Sequence, residues 1–258
     1  MPPVSAQPRP DRQRGVIETL LVLDGEPVEL DAHLTRLGTS LAALFPNRIP
    51  PAGLADEIEA AATGMVRGGL RVTVAPGADD RLDAVVEQVE IDPQQVLPPV
   101  PPTVEARAVV VRGGLGGHKW ADRALLDETQ VGSDAEPVPL IFDWDETLLE
   151  ASRANAFAAF GRTLLTPPAD GRILPGIART RALEAAVDAG FEVREVPLLR
   201  EDLAGADEIF LTGSLRGVER VRVLDGVELR GLGDVASLIH AALRRTWAGA
   251  RLDRVPRR

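Results

Sequence analysis

Gly113-Gly114-Leu115-Gly116-Gly117-His118-Lys119-Trp120 places a lysine directly after a run of glycines, in a chain whose basic residues are overwhelmingly arginine. Glycine lacks a side chain and lets the backbone pass close to another group. We therefore expect this stretch to hold the Lys119 amine at a constrained position. A lone lysine is more often a solvated charge. Lys119 therefore indicates a functional site only in combination with the segments that follow it at fixed distances.

Two such segments follow the lysine. One contains Glu150, and the other, Leu174-Pro175-Gly176-Ile177-Ala178, reads as the start of a helix. A lysine can hold pyridoxal 5′-phosphate as a Schiff base, a carboxylate can keep its pyridine nitrogen protonated, and a helix N-terminus can bind its phosphate. Together they predict a pyridoxal phosphate site, with Lys119 as Schiff-base lysine and proton-transfer group and Glu150 at the ring nitrogen.

The phosphate group has its own candidates. We expect Arg36 to act as a charged clamp, the N–H groups of Ile177 and Ala178 to bind at the helix start, and the hydroxyl and N–H of Ser214 to complete the site. Each has an ordinary alternative. Arg36 could be a helix-surface charge, Glu150 a strand-end charge, and the Pro-Gly pair simple helix punctuation.

Composition limits the possible partners. The formal net charge of -10 and the sequence pI near 4.9 argue against nucleic acid, which requires clustered positive charge. The chain has no cysteine, and His33, His118 and His240 lack ligand-like spacing, so no metal site is predicted. No apolar run approaches the roughly 20 residues that cross a bilayer. We expect a cytoplasmic protein with a small-molecule substrate and no membrane contact.

The first part of the chain predicts a small α+β layer domain. Val16–Leu23 and 27–30 form a hairpin around Asp24-Gly25, and Asp31 can cap a helix that ends at Pro46. A second helix over 52–65 and strands over 70–75 and 84–91 complete the order β-β-α-α-β-β.

Five prolines between Asp92 and Thr103 mark a stiff linker region. The larger second part carries strands and four helices, over 122–129, from 174 to a terminating Gly190, over 199–203, and over 232–247 at the C-terminal end. The predicted organisation is a disordered leader over 1–14, a small α/β domain over 15–112 and a larger cofactor-binding domain over 113–258.

Taken in order, these strings resemble the fold-type IV pyridoxal phosphate enzymes, which include branched-chain and D-amino acid aminotransferases and 4-amino-4-deoxychorismate lyases. The likeness runs from Gly15-Val16-Ile17-Glu18-Thr19-Leu20, through Lys119 and Glu150, to 206–214. It implies a small α/β sandwich domain plus a larger pseudobarrel domain, with pyridoxal 5′-phosphate between them and a homodimer as the unit. The cofactor residues that it implies are Arg36, Lys119, Glu150, Ile177, Ala178 and Ser214.

Within the family, the sequence favours the lyase, which gives 4-aminobenzoate and pyruvate in folate biosynthesis. Many aminotransferases of the family have a tyrosine five residues after the lysine, where this chain has Ala124. The spacing Lys119-x-x-x-Arg123-x-x-x-Asp127 is similar to that of aminodeoxychorismate lyases. The family often has threonine at position 178, so Ala178 can offer the phosphate only its backbone N–H.

Substrate contacts are predicted at Arg123 and Thr19, with Trp120 as a further candidate near the reaction. Arg123 could equally pair with Asp127 at helical i, i+4 spacing. Two alternatives to the lyase stay open. One is an amino acid aminotransferase of the branched-chain or D-amino acid type, and the other is a non-catalytic family member that serves as a dimerisation module.

Overall fold

A computed structural model describes residues 10–122, 124, 137–231 and 233–249. Within these ranges lie a four-stranded and a nine-stranded β-sheet, with four α-helices packed on their faces. The mixed α/β class is therefore confirmed. None of the helices in these ranges has the length and apolar character that a bilayer crossing requires.

The small sheet is antiparallel throughout, and its helices cover one face. Its elements are β1 (Val16–Leu23), β2 (Glu26–Pro27), α1 (Leu30–Leu44), α2 (Leu54–Ala62), β3 (Arg67–Pro76) and β4 (Leu82–Gln88). The strand order is β2-β1-β3-β4. Leu20 and Val22 of β1 pack with α1 and α2 in one core, whereas Leu21 and Leu23 join the core of the larger sheet. Because strand side chains alternate between faces, β1 lies between the two cores and carries side chains toward both.

The large sheet mixes parallel and antiparallel pairs. Its strands are β5 (Thr103–Val110), β6 (Val138–Phe142), β7 (Leu148–Ala151), β8 (Asn155–Phe160), β9 (Thr163–Thr166), β10 (Glu192–Glu195), β11 (Glu208–Gly213), β12 (Gly217–Leu224) and β13 (Val227–Glu228). The order is β10-β9-β8-β11-β12-β5-β6-β7, with β13 beside β12. Ser152 and Arg153 form a tight turn between β7 and β8, where Ala151 and Ala154 pair. The turn connects the edge strand β7 to β8, which lies inside the sheet, so the sheet curls back on itself as the predicted pseudobarrel requires.

Two helices and the linker cover the outside of this curled sheet. They are α3 (Ile177–Asp188) and α4 (Val235–Ala248), and their apolar faces share a core with Phe157 and Phe210. The proline-rich linker is anchored here, because Val96 and Leu97 are fully buried in the same core. A hydrogen bond also anchors the linker, because His240 Nε2 lies 2.7 Å from the carbonyl oxygen of Pro98.

Several local expectations were wrong. The strand expected over 27–30 ends at Pro27, because Glu29 has a left-handed φ of 56° and precedes α1 directly. Glu29, rather than Asp31, is therefore the residue that flanks the helix, and its carboxylate binds Arg181 at 2.6 Å. In the leader, Arg12–Arg14 form a short 3-10 turn capped by the Asp11 side chain.

Two features of the large sheet do not follow from local sequence patterns. β5 lies within residues 15–112, and it pairs in parallel with β6 and β12 of the large sheet. β9 was not predicted at all. Its four residues continue the hairpin of β8 and pair with β10, and so short a strand carries little periodic pattern of its own.

Candidate active site

Lys119 lies where the lysine segment meets the start of β1. The N–H of Ile17 donates to the carbonyl oxygen of Lys119 at 2.7 Å. The preceding glycines allow the predicted close approach: Gly114 has a φ of +71°, and a Cβ there would lie 2.1 Å from the carbonyl oxygen of Arg172. The segment is thus tied to the small sheet on one side and to the loop before α3 on the other.

Glu150 and Asn155 stand on either side of the turn between β7 and β8, and each is 4% exposed. Asn155 Nδ2 donates to the carbonyl oxygen of Leu174 at 2.9 Å and lies 3.5 Å from Glu150 Oε2. The N–H of Leu174 donates to the same carboxylate oxygen at 3.2 Å. The Glu150 carboxylate is therefore fixed by the neighbouring strand and by the approach to α3.

Gly176 lets the start of α3 pack closely against the β7–β8 hairpin. A Cβ at Gly176 would lie 2.0 Å from Asn155 Oδ1, so the Pro-Gly pair is more than helix punctuation. The N–H groups of Ile177 and Ala178 follow in the first turn, where an α-helix supplies no internal acceptor. The dipole at this end of the helix favours an anion.

Arg36 reaches the same helix start from α1. Its Nη1 donates to the carbonyl oxygen of Pro175 at 3.2 Å, while its Nε and Nη2 donate to the two oxygens of Glu18 at 2.8 and 2.5 Å. The Arg36 side chain is only 11% exposed. It is therefore an oriented, two-point ion pair and not a charge on the helix surface.

Glu18 is the buried anion of this region, and the sequence analysis gave it no role. His33 Nδ1 lies 2.7 Å from Glu18 Oε2. Burial alone would raise the pKa of Glu18, but hydrogen bonds from His33 and Arg36 and the charges of Arg36 and Lys119 outweigh it and lower that pKa to about 2. Burial lowers the pKa of His33. The available sequence signal was a glutamate inside an otherwise apolar strand.

One cleft, of about 740 Å³ including its open mouth, gathers all of the predicted cofactor residues, and we call it the main cleft for that reason. These are Arg36, Lys119, Glu150, Ile177, Ala178 and Ser214. Thr19 lies elsewhere, in an adjoining side cleft that meets the main cleft at Lys119 and Ser214. Arg123 lies outside the described residues.

The side cleft is lined by Thr19, Arg71, Arg153, Arg216 and Glu219, among others, and it shares Lys119 with the main cleft. Thr19 points into it because it lies on the β1 face that is turned toward the large sheet. Trp120 lines the main cleft, and its indole N–H donates to the carbonyl oxygen of Leu115 at 3.1 Å.

The three histidines take part in polar contacts of the fold. His33 binds Glu18, His118 Nδ1 lies 3.0 Å from the Ser40 hydroxyl, and His240 Nδ1 accepts from the N–H of Val218 at 3.1 Å. In the described part of the chain, no three His, Asp or Glu side chains are grouped as metal ligands.

Glu18→Gln should lower the free energy of unfolding at pH 7 by about 3 kcal/mol, because it leaves the buried Arg36 guanidinium without its counter-charge. The pKa of Glu18 is lower in the folded state than in the unfolded state, so its carboxylate stabilises the fold above pH 4.5, and this contribution is lost as the pH falls toward 2. Urea unfolding should therefore separate the variant from the wild type most at pH 7 and progressively less below pH 4.5.

Glu192→Gln is the matched control for this prediction. Glu192 pairs with Arg194 at 2.6 Å, but both side chains are 57% exposed. Removing such a surface pair should change stability by less than about 1 kcal/mol. Equal losses in the two variants, or a Glu18→Gln difference that grows as the pH falls, would contradict a stabilising role for the buried pair.

Residues 15–224 match the sequence profile of the amino-transferase class IV family. The chain belongs to this family. A class IV relative is the branched-chain-amino-acid aminotransferase 1, mitochondrial, of Arabidopsis thaliana, which is 40% identical over 114 residues that make up 42% of this chain and 30% of the relative. The chain thus spans about a third of the length of the curated relatives that it matches.

Solved class IV structures share the fold over most of the chain. The 4-amino-4-deoxychorismate lyase from Pseudomonas aeruginosa has a TM-score of 0.72 and 24% identity, with 93% of this chain and 95% of that one covered. A hypothetical aminotransferase from Mycobacterium tuberculosis, in its PLP-bound form, has a TM-score of 0.79 and 23% identity, with 93% and 91% covered. The predicted fold class is confirmed.

The hypothetical aminotransferase from Mycobacterium tuberculosis binds PLP, which is the cofactor that the sequence predicts for this chain. The main cleft fits it. It combines an amine, a buried carboxylate, a helix N-terminus and a guanidinium. The Thr212 hydroxyl also lines this cleft and is buried with no hydrogen-bond partner among the described residues. A buried hydroxyl without a partner fits a site that a polar ligand completes.

Proposed function

We propose that the chain is a pyridoxal phosphate-dependent lyase that converts 4-amino-4-deoxychorismate into 4-aminobenzoate and pyruvate. The observation that carries this proposal is the charge of the side cleft. Arg71, Arg153 and Arg216 line it beside Lys119, whereas its anions are Glu90 and Glu219. The proposed substrate bears two carboxylates, which a surplus of cations attracts.

The proposed reaction is an elimination. Pyridoxal phosphate, when bound, draws electron density from the substrate carbon that carries the amino nitrogen. Lys119, displaced by the substrate amine, takes the proton from that carbon. The bond between the ring and the enolpyruvyl oxygen then breaks, the ring becomes aromatic, and the enolpyruvyl group takes up a proton to leave as pyruvate. No keto acid is consumed.

The remaining residues of the main cleft hold the cofactor in this proposal. Glu150 keeps the pyridine nitrogen protonated, because a carboxylate raises the affinity of a nearby base for a proton. Arg36, the N–H groups of Ile177 and Ala178, and Ser214 bind the phosphate. Thr19 faces the substrate from β1.

Two further observations support the lyase. A 4-amino-4-deoxychorismate lyase is among the solved structures with the same fold. The chain has no tyrosine, and position 124 holds an alanine whose N–H donates to the Asp122 side chain at 3.2 Å. An alanine cannot supply the phenol hydrogen bond to the cofactor that many aminotransferases of the family have.

An amino acid aminotransferase is the second candidate, because branched-chain aminotransferases are among the curated relatives and match at 34 to 40% identity over 108 to 114 residues. A branched aliphatic side chain needs an apolar chamber. The arginines of the side cleft argue against that substrate. A homodimer, a cytoplasmic location, a part in folate biosynthesis and the domain division stay predictions.

The test is to add 4-amino-4-deoxychorismate to the cofactor-loaded protein without any keto acid and to follow both products. We expect 4-aminobenzoate and pyruvate in equal, catalytic amounts. The absence of product, together with conversion of the cofactor to its pyridoxamine form by an amino acid, would assign the chain to the aminotransferases.

A further inference from the structure

Arg153 stands at the junction of the two clefts. It lies at the tip of the turn between β7 and β8, and it lines both the main cleft and the side cleft. Arg71 and Arg216 line only the side cleft, and Arg36 lines only the main cleft. Among the described residues, Arg153 is thus the arginine that lines both clefts together with Lys119, where bond breaking is proposed.

Glu219 on β12 holds the Arg153 side chain in this position. The distance between Arg153 Nη2 and Glu219 Oε1 is 2.8 Å, and the Glu219 side chain is only 6% exposed. Arg216 Nε lies 3.9 Å from the same oxygen, while Arg216 Nη2 donates to Gln95 Oε1 at 3.0 Å. The Glu219 carboxylate therefore lies within ion-pair distance of both guanidinium groups.

A guanidinium can serve two acceptors at once. It has five N–H donors in a planar fork that matches the two oxygens of a carboxylate. The ion pair with Glu219 engages Arg153 through Nη2. Because this contact fixes the plane of the guanidinium, less conformational entropy is lost when a second carboxylate binds.

We infer that Arg153, positioned by Glu219, binds the ring carboxylate of the substrate at the junction of the clefts and so selects substrates with a carboxylate across the ring from the amino group. The inference rests on the proposed function for the identity of the substrate. Arg153 contacts the substrate, whereas Glu219 is a positioning residue.

The test compares binding of 4-aminobenzoate and its neutral analogue 4-aminobenzamide to the cofactor-loaded protein, followed by the visible absorbance of the cofactor. The wild type should prefer the carboxylate. Arg153→Gln should weaken binding of 4-aminobenzoate about 30-fold and leave 4-aminobenzamide within about twofold, because a charge-assisted hydrogen bond is lost. Arg153→Lys should recover part of the loss, since it restores the charge without the fork.

Two further variants separate positioning from charge. Glu219→Gln should raise KM for 4-amino-4-deoxychorismate several-fold and leave kcat within about twofold, because Arg153 loses its fixed plane. Arg222→Gln is the matched control. Arg222 lies on β12 like Glu219, but it is half exposed and pairs with Glu105 at 3.1 Å, outside both clefts. This control should behave as the wild type.

The outcomes distinguish this inference from the proposed reaction. If the wild type makes no 4-aminobenzoate but Arg153→Gln abolishes the preference for the carboxylate, the inference stands and the lyase assignment fails. If the wild type makes 4-aminobenzoate and Arg153→Gln retains its kcat/KM and its preference, the inference is overturned and the lyase assignment stands. A wild type that binds the amide as tightly as the carboxylate also overturns the inference.

Discussion

Lys119→Ala should lose the visible absorbance of the Schiff base and at least about 10³-fold in kcat, because the amine that holds the cofactor also transfers the proton. Lys119 is the only lysine in the chain. Borohydride reduction of the cofactor-loaded wild type should therefore place the cofactor on a single lysine, which mass spectrometry of the digested protein identifies directly.

The fold should survive this substitution. Lys119 is held through its backbone carbonyl by the N–H of Ile17, and an alanine keeps that hydrogen bond. With both proteins free of cofactor, the urea midpoint of Lys119→Ala should therefore lie close to that of the wild type. Turnover at the normal rate, or reduction that labels the N-terminal amine and leaves Lys119 unmodified, would overturn the assignment of the lysine.

Local patterns in the sequence predicted much of the fold. The bounds of β1 match the predicted Val16–Leu23, and the left-handed Gly190 ends α3 as expected. Both depend on neighbours within a few residues. The placement of β5 depends instead on distant residues, because its parallel partners β6 and β12 are separated from it by long stretches of chain. No local pattern shows which sheet such a strand will join.

The residues of the candidate site likewise fall into those that the sequence predicted and those that it did not. The six cofactor residues were predicted because the order of their segments resembles a known family. The Glu18 cluster and the pair of Arg153 with Glu219 were missed, since in both the partners are distant in sequence and no spacing connects them. The second pair joins residues 66 positions apart and exists only because the sheet curls and brings β12 beside the β7–β8 turn. Contacts of this kind form when the large sheet curls, and the spacing of the residues in the sequence does not predict them.

Glu150→Gln should lower kcat about 10²- to 10³-fold, while the cofactor still binds and the fold is kept. A glutamine side chain can still accept the N–H of Leu174 that Glu150 Oε2 accepts at 3.2 Å, so the geometry of the turn is preserved. It carries no charge, however, and cannot hold a proton on the pyridine nitrogen. The ring then withdraws electrons less well when Lys119 removes the substrate proton.

A cofactor analogue with carbon in place of the pyridine nitrogen separates this effect from a general disturbance. The analogue should lower kcat of the wild type to about the level of Glu150→Gln, and it should lower kcat of the variant little further, because both changes remove the same interaction. Glu146→Gln is the matched control, since Glu146 is half exposed and pairs with Arg200 at 3.5 Å. Additive losses from variant and analogue would mean that Glu150 acts elsewhere than at the ring nitrogen, and the electron-sink role would pass to another group.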